Sequence, residues 1–155
     1  MGPEVEERYD SSDNTKKHIA MVQFLLAGIC ESLRSRSSAH DKSKLASPEK
    51  QVFDEFTPKL RGSTYGSAEY DEFLGGMKVA LDHHYSENRH HPEHFQNGVA
   101  GMDLVDVVEM FCDWLAATKR HANGDIYKSI SINQKRFEFS DDLASIFRNT
   151  ADKLK

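Results

Sequence analysis

Apolar residues recur at helical spacing along nearly the whole chain. From Asn14 to about Arg36 the positions Ile19, Val22, Leu25, Leu26, Ile29 and Leu33 form one stripe, with Asn14 or Thr15 available as cap. His18 falls on the same face and is expected to point inward. The stretch Ser35 to Ser38 reads as a break leading into AHDKSKL. Ser47-Pro48-Glu49 then supplies a cap, a first-turn proline and a first-turn acid for a helix burying Val52, Phe53 and Phe56. Arg61 to Ser67 reads as a loop, and Ser67 caps a helix whose inner stripe runs Tyr70, Phe73, Leu74, Met77, Leu81 and His84.

Tyr85 to Gly101 is polar, with Pro92, Gly98 and Gly101, and is expected to be a loop holding at most a short helical turn. A helix begins near Asp103 and buries Leu104, Val107, Val108, Phe111 and Leu115, with Asp113 to one side of that face. Asn123-Gly124 breaks the chain. Ile126, Ile130 and Phe137 favour a helix, although Ile130 and Ile132 also fit a short strand. Ser140 caps a last helix with Leu143, Ile146, Phe147, Thr150 and Leu154 on one face. The expected fold is a single-domain, all-α bundle of about six helices over residues 14–155, preceded by a frayed lead-in at 1–13.

The 155 residues and 38% hydrophobic content suffice for one core. A net charge of −5 argues against a broad nucleic-acid surface, which needs clustered Lys and Arg, but leaves room for a local pocket that holds a small phosphorylated ligand. No run approaches the ~20 apolar residues of a membrane span, and the first residues lack a signal-peptide core, so a cytoplasmic location is expected. Cys30 and Cys112 lie in apolar helical patterns and read as buried, reduced thiols. The moderately charged helical surface leaves room for a homodimer.

Eight histidines change the picture. Five fall in DHHYSENRHHPEH, another forms the pair His40-Asp41, and imidazoles grouped with carboxylates point to a metal. Neighbouring helical residues diverge by about 100°, so a His can bind one ion while the adjacent Asp bridges to a second. An isolated His18 or His84 on an apolar face would more often be a hydrogen-bonded core residue. Their combination with His40, Asp41 and Asp113 favours ligands.

The order His18, His40-Asp41, the histidines from 83 to 94 and then Asp113 resembles the H…HD…H…H…D pattern of the HD superfamily of metal-dependent phosphohydrolases. HDKSK at 40–44 looks like the HDxxK form common there, and FCDWLAAT at 111–118 looks like the helix that carries its last aspartate. The whole chain also looks similar to a family of uncharacterised small phage and bacterial proteins, which says little about activity. The first resemblance implies a metal at His18, His40, Asp41 and Asp113, and a second at His84 with His91 or His94. His83 and His90 would then be supporting or surface residues. It implies one or two divalent ions, with Mn, Mg, Co, Ni, Fe and Zn not distinguished, and a metal-activated water acting on a nucleotide or other small phosphate ester. Asp41 and Lys44 would serve catalysis, and Lys44, Arg89, Lys119 or Arg120 would hold the phosphate. The middle histidines stand unusually close together, and the GYP signature of the cyclic-dinucleotide phosphodiesterase branch is missing.

Other readings stay open. HD-type helical sites with two irons serve some oxygenases, and a structural metal could support a non-catalytic module that binds a nucleotide or a partner. His90-His91-Pro92-Glu93-His94 satisfies the inverted zinc-protease form H-x-x-E-H, but Pro92 disfavours the helix that form requires.

Overall fold

The computed structural model describes residues 9–63, 67–120 and 124–154, and among them the chain is all-helical, without strands. Seven α-helices follow in order: α1 (Ser12–Ala39), α2 (Glu49–Gly62), α3 (Ala68–Gly76), α4 (Lys78–Glu87), α5 (Leu104–Lys119), α6 (Ile126–Phe137) and α7 (Asp141–Lys153). Short 3₁₀ turns lie at Lys42–Leu45, Pro92–His94 and Gly98–Gly101. The region after α4 thus has the loop character its composition predicts.

Three helices make the core. Met110 and Phe111 of α5, Ile126 and Ile130 of α6, and Ala144, Phe147 and Ala151 of α7 are buried together with Phe139. Phe111 stacks on Phe147 with ring centres 5.2 Å apart, and Trp114 stacks on Phe139 at 6.0 Å. The cap at Ser140 follows the sequence, whereas α2 is preceded by Pro48 at its cap position and is not capped by Ser47. Ser140 Oγ accepts from the Leu143 amide, and Asp103 and Asp106 form a reciprocal capping box on α5. Ile130 and Ile132 belong to a helix and not a strand, because Ile130 joins Ile126 in the core four positions earlier.

Several expectations are corrected. α1 begins at Ser12 and runs through Ser35 to Ser38 to Ala39 without a break, since Ser37 and Ser38 donate back to the Arg34 carbonyl and stay within the helix. α1 has no buried residue, so Leu25, Ile29 and His18 are exposed rather than inward-facing. Cys30 and Cys112 are also exposed. The helix expected to run unbroken from Ser67 to His84 is two helices meeting at Met77, whose amide donates to Phe73 and Leu74. Gly76 at that junction sits against the Phe56 ring, which an added Cβ would approach to 2.5 Å. Val52, Phe53 and Phe56 are only half-buried, and α2 extends through Gly62. Gly66 and Asn123 lie outside the described residues, as do positions 1–8 of the lead-in.

The site is reached from four directions. The C-terminal end of α1 meets α5 through Arg36 and His40, while α2 and α4 lie against the turn that follows Asp41. Asp106 is buried, accepts both Arg89 Nε (3.1 Å) and Nη2 (2.8 Å), and pairs with Arg36 Nη2. Arg36 Nη1 also donates to Glu109 at 2.8 Å. This ion-paired knot locks α1 to α5 beside His40.

Candidate metal centre

His40 is the residue that ends α1, its amide donating to the Arg36 carbonyl. Asp41 follows with φ 56°, in the left-handed region that Asp tolerates better than most residues. The divergence of His40 from Asp41 therefore comes from a helix end and a reversed backbone turn, not from neighbouring positions within a helix. Lys44, one turn on, donates to Asp41 Oδ2 at 2.7 Å and lies 5.3 Å above the Phe53 ring.

α4 brings His84 in from the opposite side, near its C-terminal end, and the loop after Asn88 returns His90 and His91 to the same point. Asn88 holds that loop by donating to Ser43 Oγ and to the His84 carbonyl, both at 2.8 Å. The last member, Asp113, comes from α5. Ligand-capable atoms of Asp41, His84, His90 and His91 all lie within 4.8 Å of one another, and so do those of His40, Asp41 and Asp113. Asp41 belongs to both groups.

The tautomers are set from behind. Glu49 is fully buried, and its carboxylate accepts from His84 Nδ1 at 2.9 Å and from His83 Nδ1 at 2.8 Å. Glu109 accepts from His40 Nδ1 at 2.9 Å and pairs with His90 Nδ1 at 3.2 Å. With Nδ1 committed to a carboxylate, each Nε2 is aimed at Asp41. His84 Nε2 is 3.3 Å and His90 Nε2 3.5 Å from Asp41 Oδ1, while His40 Nε2 is 3.7 Å from both Asp41 Oδ2 and Asp113 Oδ1. His91 Nε2 faces His84 Nε2 at 2.9 Å.

Two buried atoms, Asp41 Oδ1 and His90 Nε2, have no hydrogen-bond partner. Both are acceptors when His90 donates through Nδ1, and buried acceptors left unpaired cost about 1–3 kcal/mol each. A cation between them removes that cost, so the donor set fits a divalent metal.

Charge distribution points the same way. The hydrogen bonds to Asp113 and Glu109 raise the His40 imidazole to about 10 against its partial burial, so without a metal it keeps a proton where acids surround it. Burial works against ionisation of Asp41, but the His84 imidazole and the Lys44 ammonium beside it outweigh the burial and hold the carboxyl far below its ordinary range. At Glu109 burial is likewise outweighed by His40 and His90, and at Asp113 by His40. Burial, reinforced by His90 and His84, pushes His91 down to about 3 and keeps it neutral.

The sequence-derived residues divide clearly. His40, Asp41, His84, His91 and Asp113 are brought together. His18 is not: it sits on the same continuous helix as His40, 22 residues and about 33 Å earlier along the axis. His94 is outside the cluster as well, its Nδ1 donating to the Tyr85 carbonyl at 2.9 Å and fastening the loop to α4. His90, expected to support the site or lie at the surface, is buried at its centre. Arg89 is occupied by Asp106, and its guanidinium stacks over Phe95. Lys119 lines a separate groove with Leu115, Thr118, Ile126 and Leu154, and Arg120 is exposed at the end of α5. The inverted-protease reading fails: Pro92–His94 is a 3₁₀ turn, Glu93 pairs with Arg136 at 2.7 Å, and only His90 of the two histidines reaches the cluster.

Glu49 and Glu109 were not legible as site residues. A signal for Glu109 does exist, since Asp106, Glu109 and Asp113 make a carboxylate line at helical spacing along an otherwise apolar α5. For Glu49 the local sequence suggests only a first-turn acid.

No curated protein and no solved structure matches the chain. A family model does match residues 7–153, so the chain belongs to DUF5662, a family of unknown function.

Proposed function

We propose that this protein is a metal-dependent phosphohydrolase acting on a nucleotide or another small phosphate ester. The single observation that carries the reading is the buried pair Asp41 Oδ1 and His90 Nε2, partnerless at 3.5 Å and ringed by the Nε2 atoms of His84 and His91. A divalent ion held there would lower the pKa of a coordinated water and polarise a phosphate oxygen.

The chain's own residues do the remaining work. Asp41 spans the two ligand groups, while Glu49 and Glu109 keep His84, His40 and His90 in the tautomer that offers Nε2. Lys44 is the one ammonium against Asp41, and turned from Oδ2 to an incoming phosphate it offsets growing negative charge. Arg36 and Arg89 are spent on Asp106, so the site favours an ester of low charge over a polyphosphate. A cavity of about 490 Å³ beside His40 and Asp113, walled by Leu33, Val108, Cys112 and Ala116, offers room for an apolar leaving group.

The test is elemental analysis of the purified protein beside assays with nucleotides and simple aryl and alkyl phosphates. Near-stoichiometric divalent metal and phosphate release that chelation abolishes and several ions restore is the expected result. Iron-specific O₂ consumption would replace the reading with an oxygenase, and bound metal without turnover would leave a binding module.

Metal uptake at the His40, Asp41 and Asp113 group should also depend on pH. His40 is protonated at neutrality, so binding must expel about one proton, and affinity should rise roughly tenfold per pH unit from neutrality toward about 10. His91, already neutral, adds no slope in that range. Calorimetry in two buffers of different ionisation enthalpy counts the proton, and a count of zero at pH 7 contradicts the prediction. For the metal-free chain the sign reverses: the stability His40⁺ contributes is complete below about 6.5 and is lost as pH rises through about 10.

A further inference from the structure

The longest helix has the least cover. α1 extends about 42 Å, yet the side-chain ties described between it and the rest of the chain come from Arg36 and His40 at its last turn. Between Lys17 and Glu31 it carries no Asp, Glu, Lys or Arg, and seven large apolar residues from Ile19 to Ile29 stand 40–74% exposed. A helix this apolar is normally buried. It does not meet the length and hydropathy of a membrane span, since the uncharged stretch is about 20 Å long against a hydrocarbon core of ~30 Å.

We propose that this face is the dimer interface, and that its occupant is α1 of a second copy of the chain. Ile19, Val22, Leu26, Ile29 and Leu33 are spaced three and four residues apart in turn, which is the seam of a coiled coil and not merely an amphipathic stripe. The seam is self-complementary. Antiparallel pairing about a two-fold axis near position 24 sets Ile19 against the partner's Ile29 and Val22 against the partner's Leu26, and the same layers repeat in reverse, as an isologous contact requires. The flanking positions His18, Gln23, Leu25, Cys30 and Ser32 include no Asp, Glu, Lys or Arg.

Ile19, Val22, Leu25, Leu26 and Ile29 face or flank the seam, and at roughly 100 Å² apiece they give about 500 Å² per copy, or about 1,000 Å² in total, the size at which a specific interface begins. The seam is also continuous with the Leu33–Val108–Cys112 groove between α1 and α5, so the tip of the partner's α1 would close the open side of that cavity. The interface stands independently of any metal at the histidine cluster.

Light scattering on the full chain should give twice the 17.6 kDa monomer mass at about 50 µM. Leu26→Glu and Val22→Glu remove no buried contact within one chain and should each weaken association by about tenfold or more, whereas Ile146→Glu, at an exposed position of α7, should not. Hydrogen exchange needs no variant: amides 19–30 should be protected in the wild type and lose protection on dilution. A chain that stays monomeric, a dimer indifferent to both α1 variants, or a monomer that instead binds phosphatidylglycerol vesicles through α1 would overturn the proposal.

Discussion

Asp41→Asn should leave the fold intact and lower metal affinity by more than about 100-fold, with phosphate release falling in step. Loss of a supporting partner behind a ligand already costs about 10–100-fold, and Asp41 stands at the junction of both ligand groups. Asn keeps the shape and tolerates the left-handed backbone at this position, so strain does not confound the result. What disappears is the negative charge faced by His84, His90 and Lys44. Elemental analysis with circular dichroism reads both halves of the prediction. Glu109→Gln is the graded control: it keeps every direct ligand but ceases to fix His40 and His90, and should fall within the 10–100-fold range. Wild-type metal content in Asp41→Asn would remove the assignment of this centre.

Asp106→Ala should destabilise the protein by about 3 kcal/mol, read as a lower urea midpoint. Breaking a buried ion pair from one side costs about 3–5 kcal/mol, and the lower end applies because Arg36 and Arg89 are 25% and 43% exposed while Asp106 itself is fully covered. The same change removes half of the α5 capping box. A second consequence follows at the metal centre. Arg36 loses one of its two anchors on α5, the end of α1 loosens, and His40 is held less firmly against Glu109. A loss below about 1 kcal/mol would mean that the Asp106 ion pairs contribute little to seating α1 on α5.

By itself the sequence determined the helical class, most helix positions after Asp103, the caps at Ser67 and Ser140, and the grouping of His40, Asp41, His84 and Asp113, with His91 as one of two alternatives. Those features are local or periodic: a cap is read from two or three residues, a buried stripe from spacing, and an HD pair from composition. Tertiary structure decided the rest. Whether His18 could join His40 depended on whether Ser35 to Ser38 broke the helix, and the serines' bonds to Arg34 kept both histidines on one rigid rod. His90 and His94 look alike in DHHYSENRHHPEH, yet the turn that Asn88 pins to Ser43 carries one to Asp41 and leaves the other on a backbone carbonyl. Glu49 entered the site because α2 crosses α4 there, a long-range packing event that no local pattern encodes. The apolar face of α1 followed the same logic in reverse: periodicity marks a surface that seeks cover, and only the folded chain tells that its own core, built from α5, α6 and α7, leaves that surface uncovered.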